Sequence, residues 1–271
     1  MLQRTITGIL LVILALTMIA IDGVPMAVAI LICAGISLYE EYKAIIGAGH
    51  HPVMWPTVVL LVANVPVAYF LGSRTVFPMV MFTSLMTVTF VIFQRGPKLE
   101  DVLMSLLPQY SIVLPAQCMV ALAVVKPIEY SRQLLLLTFA LPILSDTLAF
   151  LVGSRLKGPK LCPAVSPNKT VSGAIAGLAG SAIAAGIVYS WFLWLPLLQS
   201  EIVLPWYFYV LVVVIGGIAS QMGDLFASMV KRSCGIKDFS NLFPGHGGML
   251  DRIDSILFMG AAVYAFYLLL L

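Results

Sequence analysis

Apolar runs close to 20 residues long recur from one end of this chain to the other, and they leave few folds open. A helix rises about 1.5 Å per residue and the hydrocarbon core of a bilayer is about 30 Å thick, so each run is long enough to cross it. Inside hydrocarbon no water satisfies a stray amide, so the backbone must close its own hydrogen bonds within helices or closed barrels. Unbroken runs, rather than alternating ones, point to helices. Nine such segments lie near residues 5–22, 24–39, 55–72, 76–93, 103–125, 133–152, 171–197, 205–230 and 253–271. With 61% hydrophobic and 10% charged residues, a soluble globule is excluded. The fold class expected is an all-α polytopic membrane protein of about nine transmembrane helices. Residues 1–271 would form a single integral membrane domain, with N-terminal helices over 1–130 and the chemistry carried by helices and cytoplasmic loops over 131–271.

Two details refine the spans. Only Asp22-Gly23-Val24-Pro25, a turn signal, separates the first two. No small-residue cleavage site follows the first run, which reads as an uncleaved span rather than a signal peptide. Gly216-Gly217 in the eighth segment permits close helix packing or a kink.

Charge placement sets the orientation. With the N-terminus inside, 12 of the 15 Lys and Arg residues fall on one side: Arg4, Lys43, Arg95, Lys98, Arg155, Lys157, Lys160, Lys169, Lys231, Arg232, Lys237 and Arg252. Arg74, Lys126 and Arg132 fall on the other. That bias predicts a cytoplasmic N-terminus, a C-terminus outside, and cytoplasmic placement of the two long polar loops, 153–170 and 231–252. A bacterial inner (plasma) membrane is the expected location. The net charge of +3 implies no nucleic-acid partner. The four cysteines form no CxxC pair and have no histidine at ligand spacing, so they read as small apolar or loop residues.

Against this apolar background, carboxylates inside or beside the spans need a reason. Asp146 precedes Gly153 by seven residues in the sixth segment, and Asp224 precedes Lys231 by seven in the eighth. Each would lie about 10 Å below the cytoplasmic end of its helix. An ionised carboxylate at that depth costs several kcal/mol unless it is paired, hydrated or bound to a metal. A structural ion pair and a site in a polar cavity both answer that cost. Asp224, Ser228, Lys231 and Arg232 fall at i, i+4, i+7 and i+8, on one helical face. Asp251 and Asp254 share a face at the start of the last segment. The intervening loop adds Lys237, Asp238 and Gly245-His246-Gly247-Gly248.

These residue types suit chemistry on a phosphate. Carboxylates from two helices can bridge a hard cation such as Mg²⁺. Lys and Arg neutralise phosphate charge, and glycines let backbone N–H groups approach an anion. Taken singly, Asp251 could be only a helix cap, His246 a loop hydrogen-bonder, and Lys231 and Arg232 snorkelling anchors. Their joint occurrence between Asp224 and Asp254 favours a site. The basic 153–170 loop, with Lys157, Ser166 and Lys169, reads as a nucleotide-phosphate loop beside Asp146 or as a topology signal. No Walker A loop, Rossmann fingerprint or HExxH occurs.

The run Ser228-x-x-Lys-Arg-x-x-x-x-Lys-Asp238, followed by Pro244-Gly-His-Gly-Gly-x-x-Asp-Arg-x-Asp254, resembles the signature of the phosphatidate cytidylyltransferases, or CDP-diacylglycerol synthases. Ser145-Asp146-Thr147, Gly153, Lys157 and Ser166-Pro-x-Lys169-Thr170 resemble that family's second block. Similarity is dense over about 145–254, and the first half matches only as a set of helices. Ser172 stands where many relatives carry an acidic or amide side chain. The resemblance implies transfer of CMP from CTP to phosphatidate, giving CDP-diacylglycerol and pyrophosphate, with Mg²⁺ as cofactor and a second cation left open. It implies Asp224, Lys231, Arg232 and Asp251 as catalytic residues. Ser166, Lys169, Ser228, Lys237, Asp238, His246, Gly247, Gly248 and Arg252 would bind substrate. Asp224 and Asp251, then Asp254 and Asp146, would be the metal ligands. The implied partners are CTP, phosphatidic acid and the surrounding membrane lipid, and a homodimer is left open.

Two alternatives differ in kind. A CTP-dependent polyprenol or phytol kinase would transfer the γ-phosphoryl group instead of CMP. A secondary transporter would place its polar residues near the midplane of two repeated halves, whereas here they cluster in the C-terminal half. A CDP-alcohol phosphotransferase is disfavoured because its DGxxAR motif is absent.

Overall fold

The computed structural model of the chain describes residues 23–71, 75–94, 96–194, 203–243, 245 and 247–270. The expected first span, 5–22, lies outside them, as does His246. The described residues form eight long helices: α1 (Gly23–Gly47), α2 (Trp55–Leu71), α3 (Val76–Ile92), α4 (Leu99–Ala123), α5 (Ile128–Leu156), α6 (Val171–Trp194), α7 (Trp206–Ser233) and α8 (Leu250–Leu270). Six of them, all but α2 and α3, are long and apolar enough to cross a membrane. This is the architecture of an all-α polytopic membrane protein.

The chain divides into two compact units. The first comprises Met1–Val124 with Val230–Ile253, the second Val125–Met229 with Asp254–Leu271.

In the first unit α4 is the central helix: 78% of its apolar window is buried, against at most 39% for the other spans. Polar side chains hold its neighbours to it. Tyr42 Oη donates to the Ser105 carbonyl at 3.0 Å, and Ser105 Oγ accepts the Val53 N–H at 2.8 Å. The Gln109 side-chain amide, fully buried, donates to Val80 O, Thr83 Oγ1 and Ser84 Oγ at 2.7–3.1 Å. Such bonds join helices where burial of apolar surface gives little net drive, because lipid is as apolar as the side chains. Between Pro108 and Pro115, α4 widens to a π-helical turn over Gln109–Val113. A proline lacks the N–H that would close the regular ladder, so the local register shifts.

The second unit is organised around α5 and α6. Thr170 ends a short hairpin, β1 (Lys160–Cys162) with β2 (Ser166–Thr170), paired antiparallel with an irregular register. The polar loop expected at 153–170 is therefore partly ordered as strands. Thr170 Oγ1 then accepts the Gly173 N–H at 3.1 Å and caps α6. From there small residues face α5. A Cβ on Gly180 would lie 2.6 Å from the Leu144 carbonyl, and one on Gly177 would lie 2.9 Å from Ser145 Oγ. Only glycine permits that separation, so the two helices pack backbone to backbone beside Ser145 and Asp146. The Gly216-Gly217 pair lies within α7. It closes a π-helical turn, Val212–Gly216, and it admits Met259 of α8, whose Sδ would sit 2.8 Å from a Cβ on Gly216.

Candidate active site

In the first unit the end of α7, the loop after it and the start of α8 converge on one carboxylate. Asp251 Oδ1 pairs with Lys231 Nζ at 2.5 Å. Its Oδ2 accepts the backbone N–H groups of Phe239 at 3.0 Å and Gly248 at 2.9 Å. Both side chains are withdrawn from solvent, Asp251 to 3% and Lys231 to 12% exposure. The Lys231 ammonium also lies over the Phe239 ring, 5.5 Å from its centroid, where the ring face attracts a cation. Lys231 is thus fixed in place rather than snorkelling freely.

The glycines of the loop follow from this packing. Phe243 N–H bonds the Gly247 carbonyl at 2.9 Å, closing a tight turn in which Gly245 and Gly247 have φ of +76° and +81°. A Cβ on Gly247 would stand 2.8 Å from Asp251 Oδ2. The anion that the Gly248 N–H meets is therefore the chain's own carboxylate. Around this centre, Arg232 is exposed and donates to the Ile236 carbonyl at 3.3 Å, while Lys237, Asp238 and Arg252 are exposed.

One acidic residue on this unit escaped the sequence reading. Glu40, on α1, is buried at 3% exposure. It accepts Ser240 Oγ at 2.5 Å and the Met249 and Leu250 N–H groups at 3.0 and 2.9 Å. The signal was present. Glu40-Glu41 interrupts an apolar stretch, but the expected span ended at residue 39, whereas α1 continues to Gly47. Glu41, also buried, accepts the Ser111 hydroxyl at 2.8 Å.

In the second unit, three further candidates lie on helices. Asp146 is exposed and Asp254 buried. The Ser255 hydroxyl lies 3.4 Å from Asp146 Oδ2 and 3.2 Å from Asp254 Oδ1, so its single proton can be donated to either carboxylate. Because α5 runs to Leu156, Asp146 sits ten residues from the helix end, about 15 Å along the axis, farther than the seven residues to Gly153 suggested. Asp224 pairs with Lys169 of the hairpin at 2.5 Å, with both side chains about 30% exposed or less. The spacing of two sequence blocks thereby becomes a contact: the basic loop reaches an acid on α7. Ser166 and Ser228 are half-buried.

Among the described residues no three His, Cys, Asp or Glu side chains are grouped so as to hold an ion by themselves. The oxygen donors present, carboxylates with an adjacent hydroxyl, fit Mg²⁺. That ion takes one or two carboxylates and completes its shell with water and substrate phosphates.

Comparison with known proteins gives the family. The profile of the cytidylyltransferase family matches residues 2–270. A phosphatidate cytidylyltransferase of Brucella abortus is 44% identical over 130 residues, covering 47% of this chain and 44% of the relative. Proteins of the same name from Synechocystis and Bacillus subtilis are 39% identical over 139 residues and 37% over 120. These alignments cover 50% and 44% of this chain, and 43% and 42% of the relatives. Each match thus spans less than half of the relative's own length. Matched over almost its full length by the profile, the chain belongs to the cytidylyltransferase family.

Proposed function

We propose that this protein transfers CMP from CTP to phosphatidate, giving CDP-diacylglycerol and pyrophosphate. The observation that carries the reading is the buried Lys231–Asp251 pair held by the glycine turn, in a chain of this family. The lipid phosphate oxygen attacks the α-phosphorus of CTP. A new P–O bond forms as the bond to the bridging α–β oxygen breaks, and pyrophosphate leaves. A phosphate monoester is already anionic at neutral pH, so no strong base is needed, and catalysis rests on positioning and neutralisation of charge.

Lys231, with Lys237, Arg232 and Arg252 around it, would receive phosphate charge, and Asp251 fixes the direction of the Lys231 ammonium. Lys169 would trade Asp224 for a nucleotide phosphate, with Ser166 on the same hairpin strand and Ser228 on α7 as further polar contacts. Asp238, Gly247, Gly248 and His246 stay among the substrate-binding candidates. Asp224, Asp251, Asp254 and Asp146 are the carboxylates proposed to hold Mg²⁺, which when bound would neutralise charge on the phosphates. The finer topology belongs to the same proposal: nine spans, the N-terminus and both polar loops cytoplasmic, the C-terminus outside, in a bacterial inner membrane.

Detergent-purified protein incubated with phosphatidate, Mg²⁺ and CTP tests the reaction. Label at the α-phosphorus should enter the lipid fraction and label at the γ-phosphorus should not. Transfer of γ-label would establish the lipid-kinase alternative instead.

A further inference from the structure

We infer that Glu40 is a positioning residue for the catalytic pair, reaching it from an N-terminal helix; the inference rests on the cytidylyltransferase reading above. Three donors converge on its carboxylate: Ser240 Oγ, Met249 N–H and Leu250 N–H. All three belong to the loop and helix start that carry the Asp251 partners. The residue just before them, Gly248, donates to Asp251 Oδ2, and Ser240 follows Phe239, which donates to the same oxygen. Glu40 therefore holds both strands of the cradle whose N–H groups aim Asp251, and Asp251 in turn aims Lys231.

Two features say the fit is specific to a carboxylate at this place. Every partner is a donor, so an amide in the same position would turn its NH₂ toward at least one N–H or O–H. The Gly248 backbone also runs against the carboxylate: a Cβ there would stand 2.6 Å from Glu40 Oε2 and 2.7 Å from Oε1. Gly248 thus leaves the room that the carboxylate of Glu40, a residue some two hundred positions earlier in the chain, occupies. A buried carboxylate at 3% exposure is costly to keep unless fully satisfied, and here the N-terminal N–H groups of α8 supply the satisfaction. The N-terminal helices would in this way contribute to the reaction without touching substrate.

The test uses the full-length protein in detergent, with two readouts. In Glu40→Gln, amide hydrogen exchange should speed up at Met249 or Leu250, whichever N–H faces the new NH₂. Turnover of CTP with phosphatidate should fall about 10- to 100-fold, the cost of a displacement near 1 Å in a positioned group. The fall should lie in kcat, with KM for CTP changed less than about threefold, since Glu40 binds no substrate. Gly248→Ala should lose activity similarly, and adding Glu40→Asp, one methylene shorter with its charge kept, should restore part of it. A Glu40→Gln protein with normal exchange, or one with fast exchange and wild-type kcat below its melting temperature, overturns the inference. So does a Gly248→Ala variant that Glu40→Asp fails to rescue. A wild type that makes no CDP-diacylglycerol overturns the reaction reading itself, which separates that failure from this one.

Discussion

Replacing Asp251 by Asn should do more than stop turnover. The two N–H donors, from Phe239 and Gly248, both meet Oδ2, and an asparagine can keep its carbonyl oxygen there. The loss concentrates at Oδ1, where an NH₂ would now face the Lys231 ammonium at the 2.5 Å contact. Lys231 is only 12% exposed and cannot easily reach water instead. Removing one partner of a buried pair costs about 3–5 kcal/mol. At roughly 2–4 °C per kcal/mol for a chain of this size, the melting midpoint in detergent should fall by about 6–20 °C. Lys231→Met removes the orphaned cation, so Lys231→Met/Asp251→Asn should melt above Asp251→Asn alone, while all three variants stay inactive. The assay is thermal unfolding of purified protein beside a CTP turnover assay on the same samples. An Asp251→Asn variant melting within about 2 °C of wild type, or single-variant losses that merely add in the double variant, would refute the argument that the pair is buried and coupled.

Three other outcomes are expected. Lys169→Gln should change stability by less than about 1 kcal/mol, because the pair with Asp224 is partly exposed, yet raise KM for CTP at least about tenfold; an unchanged KM for CTP would remove Lys169 from the nucleotide site. Gly180→Ala should destabilise by about 1–3 kcal/mol through its clash with the Leu144 carbonyl, whereas Gly186→Ala on the same helix, with open space at its Cβ, should be neutral or stabilising in the same melting experiment. A C-terminal alkaline phosphatase fusion should be active on the periplasmic side of a bacterial host, and activity of a cytoplasm-only reporter at that terminus would contradict the nine-span topology.

How much of this was legible beforehand varies by residue. The apolar runs read as helices because hydrocarbon offers the backbone no other partner, and six of the eight described helices are long and apolar enough to cross. Asp224, Lys231 and Asp251 stood out because charge is scarce and their spacing is helical. What spacing could not supply was which charge meets which. Lys169 lies 55 positions before Asp224, and their contact depends on a short hairpin whose strands carry no apolar alternation. The span boundaries erred at the ends, where polar residues continue a helix past its apolar core: α1 runs on to Gly47 and α5 to Leu156. Glu40, buried, lies in that extension.

The sequence by itself determined the membrane class and the helices, since hydropathy is a local property that one chain displays on its face, and charge scarcity nominated the residues proposed to handle phosphate. Tertiary structure alone decided the partnerships. The loop glycines, read from sequence as an approach route for an anion, prove to be spaces shaped by carboxylates: Gly247 by Asp251 and Gly248 by Glu40. A missing Cβ records only that something comes close. For Gly248 that group is fixed by helix packing across some two hundred residues, and no local pattern encodes it.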